Sequence, residues 1–341
     1  MTRSIKVGNI TIGGGAAVSI QSMTNTDTAD VSAALSQLNA LSTAGCDIAR
    51  LAVPDESAAG ALSEICRLSP LPIVADIHFN HRLALMAVEA GVDKIRINPG
   101  NMKKRGHIKA VADACRERGI PIRIGVNGGS VGSVSINGGD LPGVMVASGL
   151  EQADMLREFG FEDIALSFKA SSVRDTVAAN RLARARCDYP LHLGVTEAGL
   201  EYDGIIKSAA GIGALLLDGI GDTIRVSLTA DPVAEVRAAK SLLRACGLRR
   251  EGIEIIACPT CGRCRVDVIG LARQLEERVK DIKKPLTAAV MGCAVNGPGE
   301  ARHADIGAAG GDGEYLLFEK GEIVGKCENP LEILVERIME L

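Results

Sequence analysis

Two short cysteine segments near the C-terminus carry the most explicit chemistry in this chain. The first is Cys258-Pro-Thr-Cys261-Gly-Arg-Cys264. The second is Gly292-Cys293-Ala-Val-Asn-Gly-Pro-Gly-Glu300. A Cys-x2-Cys pair sets two thiolates on one tight turn, close enough to hold one metal centre. A distant third cysteine before a Gly-Pro-Gly turn can close that centre from the other side. Thiolates select zinc or iron–sulfur clusters. Structural zinc sites usually show two Cys-x2-Cys knuckles or a matching His pair. Here the second segment offers one cysteine, with His303 as an alternative fourth zinc ligand. Cys264 keeps open an all-cysteine site of Cys258, Cys261, Cys264 and Cys293, or is a bystander on the first turn of a helix. Glu300 on its own also reads as a solvated or helix-terminal carboxylate. The remaining cysteines, at 46, 66, 115, 187, 246 and 327, sit in strand or helix patterns and read as small core residues.

A second set of reactive side chains lies at the ends of apolar runs in the first two-thirds of the chain. It comprises Arg50, Asp76, His78, Arg96, Asn98, Arg123, Asn127, Lys169, Glu197, Arg225 and Ser227. Five cations gathered at one place repel one another unless an anion neutralises them. Arginine's planar fork matches phosphate oxygens in pairs. The set therefore predicts a site for a strongly anionic ligand such as a diphosphate. The bland reading is that some arginines lie in a strand wall or pair with Asp47, Asp93 or Glu162.

These residues need a scaffold that brings strand ends together. Eight apolar runs are visible: Ala17–Met23, Asp47–Val53, Leu71–Ile77, Lys94–Asn98, Pro121–Asn127, Asp163–Lys169, Leu191–Glu197 and Thr223–Leu228. Amphipathic helix patterns separate them, and Gly45 and Gly91 suit left-handed helix caps before the next strand. Eight strand–helix units in series predict a TIM barrel over residues 1–246, with a doubly wound open sheet as the rival. Active sites of this fold lie at the C-terminal strand ends, where the charged set falls. From 247 to 341 the pattern changes to a small α/β domain. It has strands at Ile253–Ala257 and Leu286–Met291, a helix from about Val266 to Ile282, a hairpin over Glu314–Gly325 and a last helix from about Pro330. Both cysteine segments begin at strand ends, so they can meet.

Composition narrows the class. The 341 residues are 47% hydrophobic with only 2% aromatic, which requires an aliphatic core of the kind parallel strands build. A net charge of −4 argues against bulk nucleic-acid or membrane-surface binding. The first residues lack the apolar stretch of a signal peptide. No apolar run reaches the ~18 residues of a membrane span. Ten cysteines in such a chain read as thiols, and the expected compartment is the cytoplasm.

The two cysteine segments resemble those of the 4-hydroxy-3-methylbut-2-enyl diphosphate synthase family, iron–sulfur enzymes of the methylerythritol phosphate route to isoprenoids. So do Ser19–Asn25, Arg96–Asn101, Pro121–Asn127, Gly194–Gly199 and Gly219–Leu228, so the resemblance runs along nearly the whole chain. Its length is similar to the compact two-domain bacterial form. The resemblance implies a 4Fe–4S cluster held by Cys258, Cys261 and Cys293, with Glu300 as an unusual carboxylate ligand of the fourth iron. It implies two-electron reduction of 2-C-methyl-D-erythritol 2,4-cyclodiphosphate, with ring opening and loss of water. Arg50, Arg96, Asn98, Arg123, Asn127, Lys169, Arg225 and Ser227 then match the diphosphate site. Asp76, His78 and Glu197 match polar residues near the reacting end, with Glu197 as candidate for proton transfer. Reduced ferredoxin or flavodoxin is the implied electron donor, and a homodimer with active sites shared between chains is the implied assembly. Cys264 departs from the family pattern. Two rivals stand beside this reading. One is a TIM-barrel phosphosugar aldolase or isomerase with a zinc-stabilised tail and Lys169 as Schiff base. The other is an electron-transfer module without a substrate, which needs no cationic barrel mouth.

Overall fold

An antiparallel hairpin, β1 (Ser4–Val7) and β2 (Ile10–Gly13), precedes eight parallel strands. These are β3 (Ser19–Met23), β4 (Ile48–Ala52), β5 (Ile73–Asp76), β6 (Lys94–Ile97), β7 (Ile122–Asn127), β8 (Ile164–Lys169), β9 (His192–Leu193) and β10 (Thr223–Ile224). They run in the order β8-β7-β6-β5-β4-β3-β10-β9, and a parallel bridge between Leu166 and Leu191 joins β8 to β9 and closes the ring. The computed structural model describes residues 1–98, 102, 104–130, 140–294, 299, 301–311 and 313–341. They form two units, Met1–Arg249 and Arg250–Leu341.

Helices α1 (Val31–Ala44), α2 (Glu56–Leu68), α3 (His81–Ala90), α4 (Arg105–Arg118), α5 (Leu141–Glu158), α6 (Val173–Arg186), α7 (Glu201–Leu217) and α8 (Pro232–Ala245) alternate with the strands. Their local signals are direct. Asp30, Asp55 and Asn80 accept backbone N–H groups at the starts of α1, α2 and α3. Gly45 and Gly91 end α1 and α3 at φ of 94° and 90°, the left-handed conformation their positions predict. Strand residues pointing outward, among them Ile20, Leu51, Ala75, Ile95, Ile124 and Leu166, pack on the helices in one aliphatic core. The hairpin was not foreseen in the sequence. Its Ile5, Val7 and Ile12 pack on Ile48, Val74 and Ala165 near the starts of β4, β5 and β8. It thus seals the barrel at the end opposite the charged set.

The second unit is a five-stranded sheet, β11 (Glu254–Ala257), β12 (Thr287–Met291), β13 (Ile306–Gly310), β14 (Tyr315–Glu319) and β15 (Glu322–Cys327), in sequential order. The first three strands are parallel and the last two antiparallel. Helices α9 (Val268–Val279) and α10 (Leu331–Glu340) cover it through Leu271, Leu275, Leu334 and Ile338. Strand β13 was absent from the sequence reading, because Ile306-Gly-Ala-Ala-Gly310 is too small and too glycine-rich to show β propensity. Among the described residues no helix is long and apolar enough to cross a membrane.

Candidate active site

Parallel strands at equal register point their side chains the same way. Arg96 sits beside Arg123, Asp76 beside Arg96, and Asn127 beside Lys169. This register turns the sequence's charge pattern into one cluster. A cavity of about 180 Å3 opens at the C-terminal strand ends. Its wall includes Arg50, Asp76, His78, Arg96, Arg123, Asn127, Lys169, Arg225 and Ser227 from the sequence-derived set. Ser167, Thr196 and Gly125 also line it and were missed, since small polar residues and glycine carry no distinctive signal. A larger cleft of about 380 Å3 near the N-terminal strand ends has only Arg184 and Asp222 as charged side chains. Size alone therefore does not identify the site; charge does.

Two carboxylates organise the cations. Arg96 Nη1 donates to Asp76 Oδ1 at 2.9 Å, Arg50 Nε lies 3.9 Å from Asp76 Oδ2, and His78 Nε2 lies 3.2 Å from the same oxygen. The Asp76 side chain is 4% exposed. Burial alone would raise its pKa; the Arg50 charge, the His78 hydrogen bond and the Arg96 charge outweigh it and hold the carboxyl well below the usual range. Arg225 makes a fork onto Glu235 of α8, at 3.2 and 3.3 Å. Glu235 also accepts from Ser22 Oγ at 2.9 Å and Leu228 N at 3.1 Å. Neither Asp47, Asp93 nor Glu162 serves this cluster. Asp47 pairs with Arg249, Asp93 accepts from the Ile73 amide, and Glu162 pairs with Arg3 and Arg157.

Among the described residues the wall thus sets five cations against one carboxylate, Asp76, and Glu235 behind Arg225 still leaves the positive charge in excess. Arg123 is 1% exposed, and its Nε and Nη1 find no hydrogen-bond partner among the described residues. Burial, then the Arg50 and Arg96 charges, push its guanidinium well below its ordinary pKa, with Asp76 opposing. Lys169, 6% exposed, is lowered by burial and then by Arg123, Arg50, Arg225 and Arg96. Burial and the Arg225 and Arg96 charges bring Arg50 down to about 10, against the pull of Asp76. Unpartnered donors at a buried positive site are a demand for an anion. Two glycines make room for the cations themselves: a Cβ on Gly125 would sit 2.8 Å from Arg96 Nε, and one on Gly194 2.6 Å from Lys169 Nζ. Met23 Sδ accepts from Arg50 Nη2 at 2.8 Å, a weak sulfur contact that leaves the guanidinium free to turn to a better acceptor.

Two members of the set stand outside the cavity wall. Asn98 is buried just past β6. Glu197 is exposed, with φ of 54°, a left-handed conformation that costs a non-glycine residue about 1 kcal/mol. Strand β9 stops at Leu193, so Glu197 belongs to a loop and not to a strand end.

In the second unit, β11 and β12 are parallel with Ala257 opposite Val290. Cys258 and Cys293 therefore leave the same end of the sheet on neighbouring strands. The Gly292 amide donates to Cys258 Sγ at 3.2 Å, and the Cys264 amide to the Cys261 carbonyl at 2.9 Å. Thr260 between the first two cysteines has φ of 57°, which folds their loop back on itself. Cys261 is exposed and Cys258 and Cys293 are half-buried. His303 is exposed. Glu300 lies outside the described residues. Among the described residues no three His, Cys, Asp or Glu side chains converge as they would on a single metal ion.

Comparison with known proteins matches the same two units. The GcpE TIM-barrel domain matches residues 2–240, and the GcpE protein C-terminal domain matches residues 254–341. The chain is 55% identical over 345 residues to a protein of Caldanaerobacter subterraneus subsp. tengcongensis, covering 100% of this chain and 97% of that one. It is 55% identical to a Geobacter sulfurreducens protein (95% and 93% covered) and 54% identical to one of Clostridium perfringens (100% and 97% covered). All three are named 4-hydroxy-3-methylbut-2-en-1-yl diphosphate synthase (flavodoxin). Among solved structures, dihydropteroate synthase of Yersinia pestis aligns with a TM-score of 0.54 at 11% identity, over 72% of this chain and 98% of that one. A truncated 3-deoxy-D-arabino-heptulosonate 7-phosphate synthase of Thermotoga maritima aligns at 0.52 and 15%, over 73% and 94%. Those two likenesses show the barrel fold alone. Matched over both units and along its full length, this chain belongs to the GcpE family.

Proposed function

We propose that the chain reduces 2-C-methyl-D-erythritol 2,4-cyclodiphosphate to (E)-4-hydroxy-3-methylbut-2-enyl diphosphate. The ring C–O bond opens, water is lost, and two electrons and two protons are taken up. The observation that carries this is the excess of positive charge at the mouth of a GcpE-type barrel. Arg50, Arg96, Arg123, Lys169 and Arg225, with Asn127 and Ser227 in the same wall and Asn98 just past β6, bind and orient the diphosphate, and Asp76 keeps Arg50 and Arg96 aimed at it. His78, 49% exposed and hydrogen-bonded to Asp76, borders the reacting end. Glu197 is the candidate for proton transfer, and its strained backbone is of the kind that gathers at functional sites.

The second unit supplies the electrons through a 4Fe–4S cluster on Cys258, Cys261 and Cys293, with Glu300 as the ligand of the fourth iron. The donor set fits this group. Three thiols leave one sheet end, and the Gly292 amide already points at Cys258 Sγ, as amides do that stabilise bound thiolates. When bound, the cluster provides the electrons and a Lewis-acidic iron for the substrate oxygen. The relatives' names support flavodoxin as the donor, with ferredoxin as the alternative; the cytoplasm provides both. Anaerobically isolated protein should be brown and hold about four irons and four sulfides per chain. A colourless chain with one zinc would overturn the cluster and favour the phosphosugar reading.

The end of the barrel unit supports a shared-site homodimer. Helix α8 starts beside the mouth, where Glu235 holds Arg225, and its fourteen residues span ~21 Å. Arg249 then pairs with Asp47 at the start of β4, at 2.9 Å, so the barrel unit ends at the face away from the mouth. In the shared-site homodimer a partner's cysteine segments serve the mouth. Mixing inactive Arg123→Ala and Cys293→Ser chains should restore activity, because one site of each mixed dimer is intact. Proven subunit exchange without recovery would assign each barrel its own cluster.

A further inference from the structure

Cys264 takes no part in the ligand set above, yet it stands beside it. Its Sγ donates to the Val266 carbonyl at 3.1 Å, and its amide closes a turn onto Cys261. A Cβ on Gly292 would meet Cys264 Sγ at 2.6 Å and Cys258 Sγ at 3.3 Å. The two sulfurs flank one point of the backbone and lie within about 6 Å of each other, and a bridge between them needs both side chains to turn inward over that point. The absence of a side chain at 292 leaves that space to them. The packing joins them as well, since both cysteines lie against the core under α9.

We propose that Cys264 is a resolving thiol that captures Cys258 as an intrachain disulfide when the cluster is lost under oxidising conditions. The proposal rests on the reading of Cys258 as a cluster ligand. The oxidant is a low-molecular-weight disulfide such as glutathione disulfide. Freed Cys258 attacks it, forms a mixed disulfide and releases one glutathione thiol. Cys264 gives up its hydrogen bond to Val266, attacks the Cys258 sulfur and displaces the second glutathione. Two thiols lose two electrons and two protons, and one glutathione disulfide becomes two glutathione thiols. The bridge holds the ligand at a reducible level, from which a dithiol returns it for cluster assembly. Without Cys264, an oxidised Cys258 stays exposed to the irreversible steps that lead to sulfinic and sulfonic acid.

The sequence supplies a clean assay. Trypsin cuts after Arg250, Arg263 and Arg265, so Cys258 and Cys261 fall in Glu251–Arg263 and Cys264 in the dipeptide 264–265. A bridge from Cys264 joins two peptides, whereas a Cys258–Cys261 bridge closes a loop within one. Anaerobic holoprotein, its iron and sulfide counted first, is exposed to air and glutathione disulfide, alkylated, digested and analysed by mass spectrometry. The joined pair should dominate, with fragmentation between Thr260 and Cys261 placing the bridge on Cys258, and a dithiol should abolish it. In Cys264→Ser the pair should vanish and Cys258 should carry glutathione. A dominant Cys258–Cys261 loop, a bridge on Cys261, or a Cys264 that stays open to alkylation would each overturn the proposal. A chain isolated without iron fails the cluster reading, whereas an iron-loaded chain with an alkylatable Cys264 fails this one alone.

Discussion

Arg123→Met should weaken binding of the cyclic diphosphate by about 10²–10⁴-fold and yet raise the melting temperature of the ligand-free protein. The two effects have opposite signs for one reason. Arg123 is fully buried, and among the described residues its Nε and Nη1 have no partner while Arg50 and Arg96 press on it. Without a ligand that charge is a cost, because an uncompensated buried ion pays on the order of several kcal/mol of desolvation that an apolar group of similar size does not. With the ligand, the same fork makes two charge-assisted hydrogen bonds, each worth about 1.5–3 kcal/mol. Thermal melts with and without inorganic pyrophosphate, beside anaerobic titration with the substrate, separate the two terms. Pyrophosphate should raise the melting temperature of the parent far more than that of the variant. Unchanged affinity, or a variant less stable without ligand, would remove Arg123 from the anion site.

Asp76→Asn should do the reverse to the ligand-free protein. The Asp76 carboxylate neutralises Arg96 and Arg50 at 2.9 and 3.9 Å. Losing one partner of a buried ionic group costs ~3–5 kcal/mol, on the order of 10 °C in a domain of this size. Added pyrophosphate should return much of that loss, since it supplies the missing negative charge. The pH dependence follows from the lowered folded-state pKa. Ionised Asp76 contributes fully above the unfolded value near 4, and the contribution fades as pH falls from there toward the folded-state value. Acid melts should therefore steepen below about pH 4 in the parent and less so in the variant. Equal acid sensitivity in both would mean that Asp76 is not the counterion of the cluster.

The cations were legible in the sequence because a strand's period of two puts Arg96 and Asn98, or Arg123 and Asn127, on the same face of an apolar run. Fold and charge pattern thus came from one signal. Their counterions were not legible in the same way. Asp76 read as a reacting residue, and its role as the partner of Arg96 depends on the β5–β6 register, which no local pattern encodes. Glu235 sits in the first turn of α8, where a carboxylate is already explained by the helix dipole, so nothing marked it as the partner of Arg225. Gly125 and Gly194 matter through what they lack, and only three-dimensional proximity to Arg96 and Lys169 reveals it. The loop position of Glu197 escaped notice because Leu191-His-Leu-Gly-Val reads as a full strand, whereas β9 spans only His192–Leu193. The cysteine spacing was explicit, and the parallel pairing of β11 with β12 explains how segments 34 residues apart meet at Cys258 and Gly292.

The most direct measurement is the electron count of a single anaerobic reaction. Cluster-loaded protein is given 2-C-methyl-D-erythritol 2,4-cyclodiphosphate and a known amount of reduced flavodoxin, and products are identified by mass spectrometry while flavodoxin oxidation is followed optically. The linear allylic diphosphate should appear with two electrons consumed per molecule formed, and none should form with Arg123→Met at the same substrate concentration. Flavodoxin that stays reduced beside untouched cyclodiphosphate, in protein holding its full iron and sulfide, would contradict the reaction assigned here.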